Sequence, residues 1–229
     1  KEQLPEISSN QILGEPVGKN TAACVAYAAH KISELSKDGV LIVAPSDHLI
    51  QDTTNFINQM HTAHRYAKEH DALITLGLKP HRPDTGYGYI QFDEKEVSSG
   101  VNKVRTFTEK PPMELAEKFL ESGDFLWNSG MFCFKAGVFL EELRKYHPEM
   151  LAACEKALPT IEKGVVGLEA MKAIPADSVD YAVLEHSKLI KTVASNFYWT
   201  DLGSFDAIIN YFEEGNEVDN LQQIENTNG

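Results

Sequence analysis

The stretch VLIVAPSDHLI, residues 40–50, decides the expected fold and the expected position of the site. Its first five residues, 40–44, are apolar or small, which predicts a fully buried parallel strand in the centre of a sheet. A proline and a serine then lead away from the strand to Asp47 and His48. Ligands of open α/β sheets bind outside the carboxyl ends of the strands, so Asp47 is a candidate site residue. The alternative, in which Asp47 caps the following turn, stays open. His48 is expected only to support Asp47.

Helical patterns flank this stretch on both sides. Before it, apolar residues three and four apart predict a helix that Asn20 or Thr21 caps. The apolar face of that helix consists of Val25, Ala29, Ile32 and Leu35. After it, residues 52–70 predict an amphipathic helix and residues 72–78 a second buried strand. Strands and helices that alternate in this way are typical of a three-layer α/β fold with right-handed crossovers.

The second half of the chain has a more mixed pattern. Strands are predicted over residues 87–92, 101–109, 131–134 and 189–194, and helices over 112–121, 137–146, 149–158, 179–185 and 204–212. We therefore expect a single domain, residues 1–229, of class α/β: a Rossmann-like, doubly wound mixed sheet with helices on both faces.

The composition excludes several classes of function. The 229 residues carry a formal net charge of -13, which argues against nonspecific binding of nucleic acid or of anionic membranes. No signal peptide is recognisable, and no apolar run reaches the ~20 residues that a membrane span needs. The three cysteines match neither a disulfide framework nor a zinc site, so we expect a cytoplasmic protein.

Two stretches could bind a phosphorylated ligand. PDTGYGYIQF, residues 83–92, contains Gly88, and glycine permits close approach of the backbone to another group, although a simple turn is the alternative. FTEKPP, residues 107–112, places Glu109 and Lys110 at the end of a strand. A bend there would let Glu109 accept hydrogen bonds from hydroxyls while Lys110 meets a phosphate; a solvated pair is the alternative.

Two further stretches carry isolated polar side chains among apolar ones. FLWNSGMF, residues 125–132, contains Asn128, whose amide can donate to and accept from a sugar diol or can lie in a turn. FYWTDLGSF, residues 197–205, contains Asp201 among aromatic residues. A carboxylate there needs a cation or several donors, unless it caps the helix predicted to follow.

Taken in order, the motifs resemble those of the sugar-1-phosphate nucleotidyltransferases, most closely the members that act on mannose 1-phosphate. The motifs are EPVGKNTA (15–22), PSDH (45–48), TGYGYI (85–90), FTEKP (107–111), WNSGMF (127–132), SVDYAV (178–183) and WTDLGS (199–204). They extend over almost the whole chain in the family's order. The resemblance implies the nucleotide-diphospho-sugar transferase fold and the transfer of GMP from GTP to mannose 1-phosphate, with a homodimer as a family-level expectation.

The resemblance also implies roles for individual residues. Asp47 and Asp201 would be catalytic carboxylates that bind Mg²⁺ between the nucleotide and the sugar phosphate, since Mg²⁺ prefers oxygen ligands. Glu109 would bind the sugar hydroxyls and Lys110, also catalytic, the phosphate of mannose 1-phosphate. Gly88 and Asn128 would line the sugar pocket.

Glu15 leads to a separate hypothesis about the base. Guanine offers adjacent N–H donors at N1 and N2, and one carboxylate can accept both. We expect Glu15 to read the base in this way, with Gly18, Asn20 and Thr21 beside it.

The chain also departs from the family pattern. The glycine-rich loop with Arg and Lys that grips the triphosphate is missing, the chain begins without Met, and it ends in a polar segment. We therefore expect a fragment, truncated at both ends, that by itself is inactive. The alternatives are a nucleotidyltransferase for another sugar phosphate such as glucose 1-phosphate, and a non-catalytic regulatory homologue that lacks the triphosphate loop. A metal-dependent glycosyltransferase is disfavoured because Asp47 lacks a second acid one residue away.

Overall fold

The computed structural model describes residues 5–8, 11–202 and 209 of the chain. Its α-helices are Asn20–Leu35 (α1), Thr53–Glu69 (α2), Met113–Ser122 (α3), Ala136–Tyr146 (α4), Pro148–Ala157 (α5) and Leu168–Lys172 (α6). Its strands are Val40–Val43 (β1), Leu49–Ile50 (β2), Leu73–Leu78 (β3), Tyr89–Ser98 (β4), Val101–Thr108 (β5), Phe125–Lys135 (β6), Ile190–Ser195 (β7) and Trp199–Thr200 (β8). A 3₁₀ turn covers Leu158–Thr160 and a π-helical turn Asp180–Leu184.

Six strands form one mixed sheet in the order β1-β6-β3-β7-β5-β4, and β4 also pairs with β6. The pair β3–β7 is parallel, whereas β6 runs antiparallel to β1, β3 and β4. Strands β2 and β8 form a separate two-stranded ladder. The predicted fold class, a mixed α/β sheet of the doubly wound type, is confirmed.

The sheet has a hydrophobic core on each face because side chains alternate along its strands. In β6, Phe132 and Phe134 belong to the larger core, which includes buried residues of α1, α4 and α5. Met131 and Cys133, between and beside them, belong to the second core, to which α2 contributes. Helices therefore cover both faces, as predicted. No helix in the described part of the chain is both long enough and apolar enough to cross a membrane.

Strand β1 differs from its prediction as a fully buried, parallel and central strand. Val40–Val43 lies at one edge of the described sheet, pairs antiparallel with β6, and leaves Ile42 52% exposed. An apolar run fixes the tendency to form a strand but does not specify which distant strand pairs with it. Since β1 and β3 are both antiparallel to β6, they run parallel to each other, and their carboxyl ends share one edge of the sheet.

The start of α1 also differs from its prediction. No side chain caps this helix: Lys19 occupies the N-cap position, and the hydroxyl of Thr21 accepts a hydrogen bond from the backbone N–H of Val179 at 3.0 Å. A segment more than 150 residues away in sequence therefore takes the group that was expected to cap the helix. Leu35 was assigned to the apolar face but is 83% exposed.

The remaining predicted elements agree with the structure to different degrees. α2 is confirmed, and the Asp52 side chain caps it by accepting from the N–H of Asn55 at 2.9 Å. The predicted strand 131–134 is part of the much longer β6, and the predicted helix 179–185 is the π-helical turn. The predicted helix 204–212 falls almost wholly on residues outside the described part.

Gly77 in β3 gives a test of how tightly the sheet and its faces pack. A Cβ atom at this position would lie 2.6 Å from Leu126 Cδ1 and 2.8 Å from Thr192 Oγ1. We expect Gly77→Ala to lower the free energy of unfolding by roughly 1–3 kcal/mol, because the added methyl group overpacks the core. Urea denaturation followed by circular dichroism measures this change.

Gly137→Ala in α4 is the matched control, since a Cβ atom there meets no heavy atom within 4 Å. Its free energy of unfolding should equal or exceed that of the native chain, because alanine is favoured over glycine in a helix. Equal stability of the two variants would contradict the packing described for Gly77.

Candidate active site

Asn128 lies in the middle of β6, opposite Gly77 of β3, and is only 7% exposed. Its Oδ1 accepts from Thr75 Oγ1 at 2.8 Å and from the backbone N–H of Gly130 at 3.3 Å, and its Nδ2 donates to Asp180 Oδ1 at 2.8 Å. Asn128 therefore lies in a strand, while its bond to the N–H two residues further on is of the Asx-turn type. Both acceptor sites of Oδ1 are used, so the amide offers a ligand one N–H rather than a donor and an acceptor.

Glu109 and Lys110 follow β5 at a bend in the backbone. Lys110 adopts a φ of +47°, in the left-handed region, and this bend brings both side chains to the same side. Lys110 Nζ lies 3.0 Å from Glu109 Oε1; the Glu109 side chain is 8% exposed and that of Lys110 53%. The second carboxylate oxygen of Glu109, Oε2, is buried and has no hydrogen-bond partner among the described residues. An unpartnered buried acceptor of this kind is suited to a hydroxyl donor on a ligand.

Gly88 lies between the Glu109 carboxylate and Asn128. A Cβ atom on Gly88 would be 2.2 Å from Glu109 Oε2 and 3.2 Å from Asn128 Cβ. The backbone carbonyl of Gly88 accepts from the backbone N–H of Asn128 at 2.8 Å. Only glycine fits here without displacing the carboxylate, so the structure brings three of the predicted sugar-pocket residues together.

The charges around Glu109 change its acidity. Burial raises the pKa of Glu109 to about 7, the negative charge of Asp180 adds to this effect, and the hydrogen bond from Lys110 opposes it. Burial likewise raises the pKa of Asp180, with Asn128 and Lys110 among the groups that lower it. Two carboxylates thus share the positive charge of Lys110.

The β2–β8 ladder brings the PSDH and WTD motifs together. Leu49 pairs with Thr200 in an antiparallel register, so His48 comes opposite Asp201 one residue further along. Trp199 Nε1 donates to His48 Nδ1 at 3.0 Å. Burial lowers the pKa of His48, and the negative charges of Asp47 and Asp201 both oppose this change. Asp47 and Asp201 therefore flank one imidazole, although they are 154 positions apart in the numbering.

Asp201 is also held by an aromatic side chain. Tyr87 Oη donates to Asp201 Oδ1 at 3.1 Å, and the Tyr87 ring packs between Trp127 and Trp199 at 5.1 and 5.3 Å between ring centroids. Asp47 is exposed. No three His, Cys, Asp or Glu side chains within the described ranges are close enough to form a complete metal site. Two carboxylates fit a hard divalent cation that keeps water and phosphate oxygens as its other ligands.

Glu15 lies apart from these groups, against α1 and α5. Its carboxylate hydrogen-bonds to the Cys24 thiol. Burial raises the pKa of Tyr27 and of Cys154, and the negative charge of Glu15 adds to both effects. Its Oε1 is buried without a hydrogen-bond partner in the described part of the chain. Burial raises the pKa of Glu15.

Gly18 comes just before α1, and Asn20 and Thr21 are its first two residues. Gly18 and Asn20 are exposed at the start of α1, and Asn20 Oδ1 accepts from the N–H of Thr21 at 2.8 Å. Thr21 is joined through Val179 to the neighbouring Asp180. No described hydrogen bond links Glu15 directly to Glu109 or Asn128, so the predicted base-reading group forms a separate region.

Sequence reasoning assigned no role to Asp180, Tyr87 or Trp199, which contact the predicted site residues directly. Asp180 was visible only as part of the SVDYAV motif, and Tyr87 only as the residue between two glycines. A polar residue just before an apolar helical segment was the available signal for Asp180. Its partner Asn128 is 52 positions away and could not be inferred from spacing.

Comparisons with known proteins show the family of the chain. The sequence profile of the family described as "Nucleotidyl transferase" matches residues 1–217. A mannose-1-phosphate guanylyltransferase of Escherichia coli K12 is 41% identical over 217 residues, which cover 90% of this chain and 45% of that protein. The chain thus spans about half the length of the curated relatives it matches.

Solved structures show the same similarity. One described as a mannose-6-phosphate isomerase from Helicobacter pylori is 36% identical, with a TM-score of 0.75 over 82% of this chain and 74% of that chain. Another, described as a mannose-1-phosphate geranyltransferase from Thermus thermophilus, is 29% identical, with a TM-score of 0.76 over 87% of this chain and 57% of that chain.

The raised pKa of Glu109 predicts a specific dependence of stability on pH. In the folded chain the Glu109 carboxyl keeps its proton up to about pH 7, whereas its ordinary pKa is 4.5. The protonated carboxyl therefore contributes its full stabilising effect on the fold below pH 4.5, and this contribution is lost as the pH rises through 7. In Glu109→Gln this loss is absent. The unfolding free energy of the variant minus that of the native chain should therefore rise by up to about 3 kcal/mol between pH 4.5 and 8. Urea denaturation at several pH values measures it; parallel pH profiles would contradict the prediction.

Proposed function

Because the chain belongs to the nucleotidyl transferase family, we propose that it forms the catalytic domain of an enzyme that transfers GMP from GTP to mannose 1-phosphate, giving GDP-mannose and pyrophosphate. The observation that carries this proposal is the 41% identity, along 90% of the chain, to a relative named for that reaction. The cluster around Glu109 and the two carboxylates beside His48 support it, because they supply groups for a sugar, a phosphate and a cation.

Mannose 1-phosphate binds at the cluster of Gly88, Glu109, Lys110 and Asn128. The buried Oε2 of Glu109 accepts from a sugar hydroxyl, and the remaining N–H of Asn128 donates to a neighbouring hydroxyl oxygen. Lys110, half-exposed beside them, attracts the phosphate. The absence of a side chain on Gly88 leaves the carboxylate accessible to the sugar.

Asp47 and Asp201 would hold the divalent cation that members of the family generally use, and Mg²⁺ is the cation we assign. Oxygen ligands from two carboxylates match its chemistry, and phosphate oxygens and water would complete its coordination. When bound, the cation neutralises phosphate charge between the nucleotide and the sugar phosphate. Tyr87 orients Asp201 by donating to its Oδ1.

The reaction requires positioning more than covalent help from the protein. A phosphate oxygen of mannose 1-phosphate attacks the α-phosphorus of GTP, and a new P–O bond forms. The bond from the α-phosphorus to the oxygen bridging to the β-phosphate breaks, and pyrophosphate leaves with that oxygen. Lys110 offsets the charge of the attacking phosphate and keeps it in line, so that the two anions can approach each other.

The nucleotide base is read by Glu15, with Gly18, Asn20 and Thr21 beside it. The buried, unpartnered Oε1 of Glu15 supports this proposal, because such an oxygen gains a hydrogen bond when a donor reaches it. Guanine supplies two adjacent N–H donors, whereas uracil supplies one at N3. A carboxylate at this position therefore favours GTP over UTP.

An assay of the full polypeptide that carries this sequence tests the proposed function. GTP, UTP, ATP and CTP are each combined with mannose 1-phosphate or with glucose 1-phosphate. We expect the pair GTP and mannose 1-phosphate to react fastest, giving GDP-mannose, and only when a divalent cation is present. Asp47→Asn and Asp201→Asn should each lower kcat on the order of a hundredfold, because each removes a cation ligand. Asp38→Asn, at an exposed aspartate in the α1–β1 connection, is the control.

Three results would contradict the proposal. Glucose 1-phosphate as the preferred sugar or UTP as the preferred nucleotide would reassign the substrates within the family. No transfer with any pair would favour the regulatory alternative.

Glu15→Gln tests base recognition separately. Replacing one carboxylate oxygen by an amide group removes one acceptor for guanine, and a hydrogen bond to a charged group is worth about 1.5–3 kcal/mol. We expect the kcat/KM preference for GTP over UTP to fall roughly ten- to a hundredfold. Glu34→Gln, at an exposed position of α1, should leave the preference unchanged. The same preference in Glu15→Gln and the native enzyme would exclude Glu15 as the base-reading residue.

A further inference from the structure

Asp180 is a partly buried carboxylate to which the proposed reaction assigns no role. It begins the π-helical turn Asp180–Leu184, and turns of this type are frequent at functional sites. Its Oδ1 accepts from Asn128 Nδ2 at 2.8 Å. At the other end of the turn, Glu185 Oε1 accepts from the backbone N–H of Glu109 at 2.9 Å. The turn therefore contacts both halves of the sugar-phosphate cluster.

We propose that Asp180 is a positioning residue for this cluster: its carboxylate fixes the Asn128 amide so that one N–H points to the ligand, and its charge holds Lys110 beside Glu109. The proposal rests on the function proposed above only in naming the ligand as a sugar phosphate. Asp180 itself acts through Asn128 and Lys110.

Hydrogen-bond counting around Asn128 carries the first half of the proposal. An ionised carboxylate only accepts hydrogen bonds, so the side of the amide that faces Asp180 must be its NH₂ group. Asn128 Oδ1 must then face Thr75, whose hydroxyl donates to it at 2.8 Å. Without the carboxylate, only the longer bond from the Gly130 N–H, at 3.3 Å, still requires an oxygen on that side of the amide, because the Thr75 hydroxyl can donate or accept. The amide could then turn and present an oxygen where the ligand requires a donor.

The position of Asp180 beside the Glu109–Lys110 pair carries the second half: Asp180 bonds Asn128, and Asn128 lies next to Gly88, which also adjoins Glu109 Oε2. Lys110 pairs with Glu109, and the negative charges of Glu109, Asp180 and Tyr181, when ionised, all raise its pKa. Around Glu109 itself the charged groups are Lys110, Asp180 and Glu185. The negative charge of Asp180 therefore has two effects: it attracts the lysine and it makes Glu109 harder to ionise. Removing that charge while keeping the shape of the side chain separates the electrostatic effect from the hydrogen bond.

The position of Asp180 also connects the sugar cluster with α1. The preceding residue, Val179, donates its backbone N–H to Thr21 Oγ1 at 3.0 Å, and the Asp177 carbonyl accepts from the N–H of Ala22 at 3.1 Å. The start of α1 carries the residues proposed to lie beside the base. The loop that ends in Asp180 thus touches both substrate regions, which is the expected place for a residue that sets their geometry.

NMR of the unliganded chain at a series of pH values is the first test, and it does not depend on any activity. Asp180→Asn keeps an oxygen for Asn128 but removes the charge, so the titration midpoint of the Glu109 side-chain carbon should move to lower pH. Asp180→Ala should in addition shift and broaden the side-chain NH₂ signals of Asn128. Asp177→Asn, in the same loop, is the control, because its side chain bonds Ser178 rather than the cluster. An unchanged Glu109 midpoint in Asp180→Asn would overturn the electrostatic half of the proposal.

A double-mutant cycle on the full polypeptide is the second test. Asp180→Ala should lower kcat/KM for mannose 1-phosphate roughly ten- to a hundredfold, since small displacements of a binding group have costs of this size. If Asp180 acts through Asn128, then Asn128→Ala combined with Asp180→Ala should be little worse than Asn128→Ala alone. Asp180→Asn should recover part of the loss at Asp180→Ala, because the hydrogen bond is restored. Additive losses would overturn the positioning role through Asn128.

The two proposals fail in different ways. If the native polypeptide neither binds nor turns over mannose 1-phosphate, the proposed function is wrong, and the NMR test still decides the role of Asp180. If the native polypeptide is active and the NMR spectra of the Asp180 variants match the native spectra, Asp180 has no positioning role.

Discussion

The hydrogen bonds of the Asn128 side chain are the constraint on which both the sheet and the site depend. A buried amide in a central strand costs free energy unless each of its groups finds a partner. Thr75 on the neighbouring strand and Asp180 on a distant turn supply these partners. The strand thereby keeps a polar group in its interior, and the turn is held against the sheet. The site exists because the cost of burying one amide is offset by contacts from two other parts of the chain.

The general architecture could be predicted because it depends on local patterns. Apolar runs and three-to-four spacing reflect the burial of one face of a helix or of both faces of a strand, and these are properties of each segment alone. The partner of β1 could not be predicted in the same way, since pairing with β6 joins Val40 to Lys135. The predicted cap of α1 was wrong for a similar reason: the Thr21 hydroxyl accepts a hydrogen bond from the backbone N–H of Val179, which is far away in sequence.

The same division applies to the candidate site. The bend at Lys110 was foreseeable because a carboxylate and a lysine followed by two prolines cannot continue a regular strand. The approach of Asp201 to the PSDH motif depends on a ladder of only two residue pairs, β2 with β8, which has no recognisable periodicity. Asp180 lies in the SVDYAV motif, but its role depends on how far the fold removes it from solvent and on its contact with Asn128. Burial and long-range partners are collective results of folding, and one sequence does not display them residue by residue.

Charge explains how so acidic a chain could bind an anionic ligand. The net charge of -13 repels phosphates at long range, and salt screens that repulsion beyond about 8–10 Å. At shorter distances, the charges of the groups next to the ligand decide whether it binds. Burial raises the pKa of Glu109 to about 7, so this carboxyl is largely neutral at slightly acidic pH and about half ionised at pH 7. Lys110 then faces less competing negative charge than the number of carboxylates suggests. The burial that makes Glu109 costly to ionise is therefore also what makes a phosphate beside Lys110 acceptable.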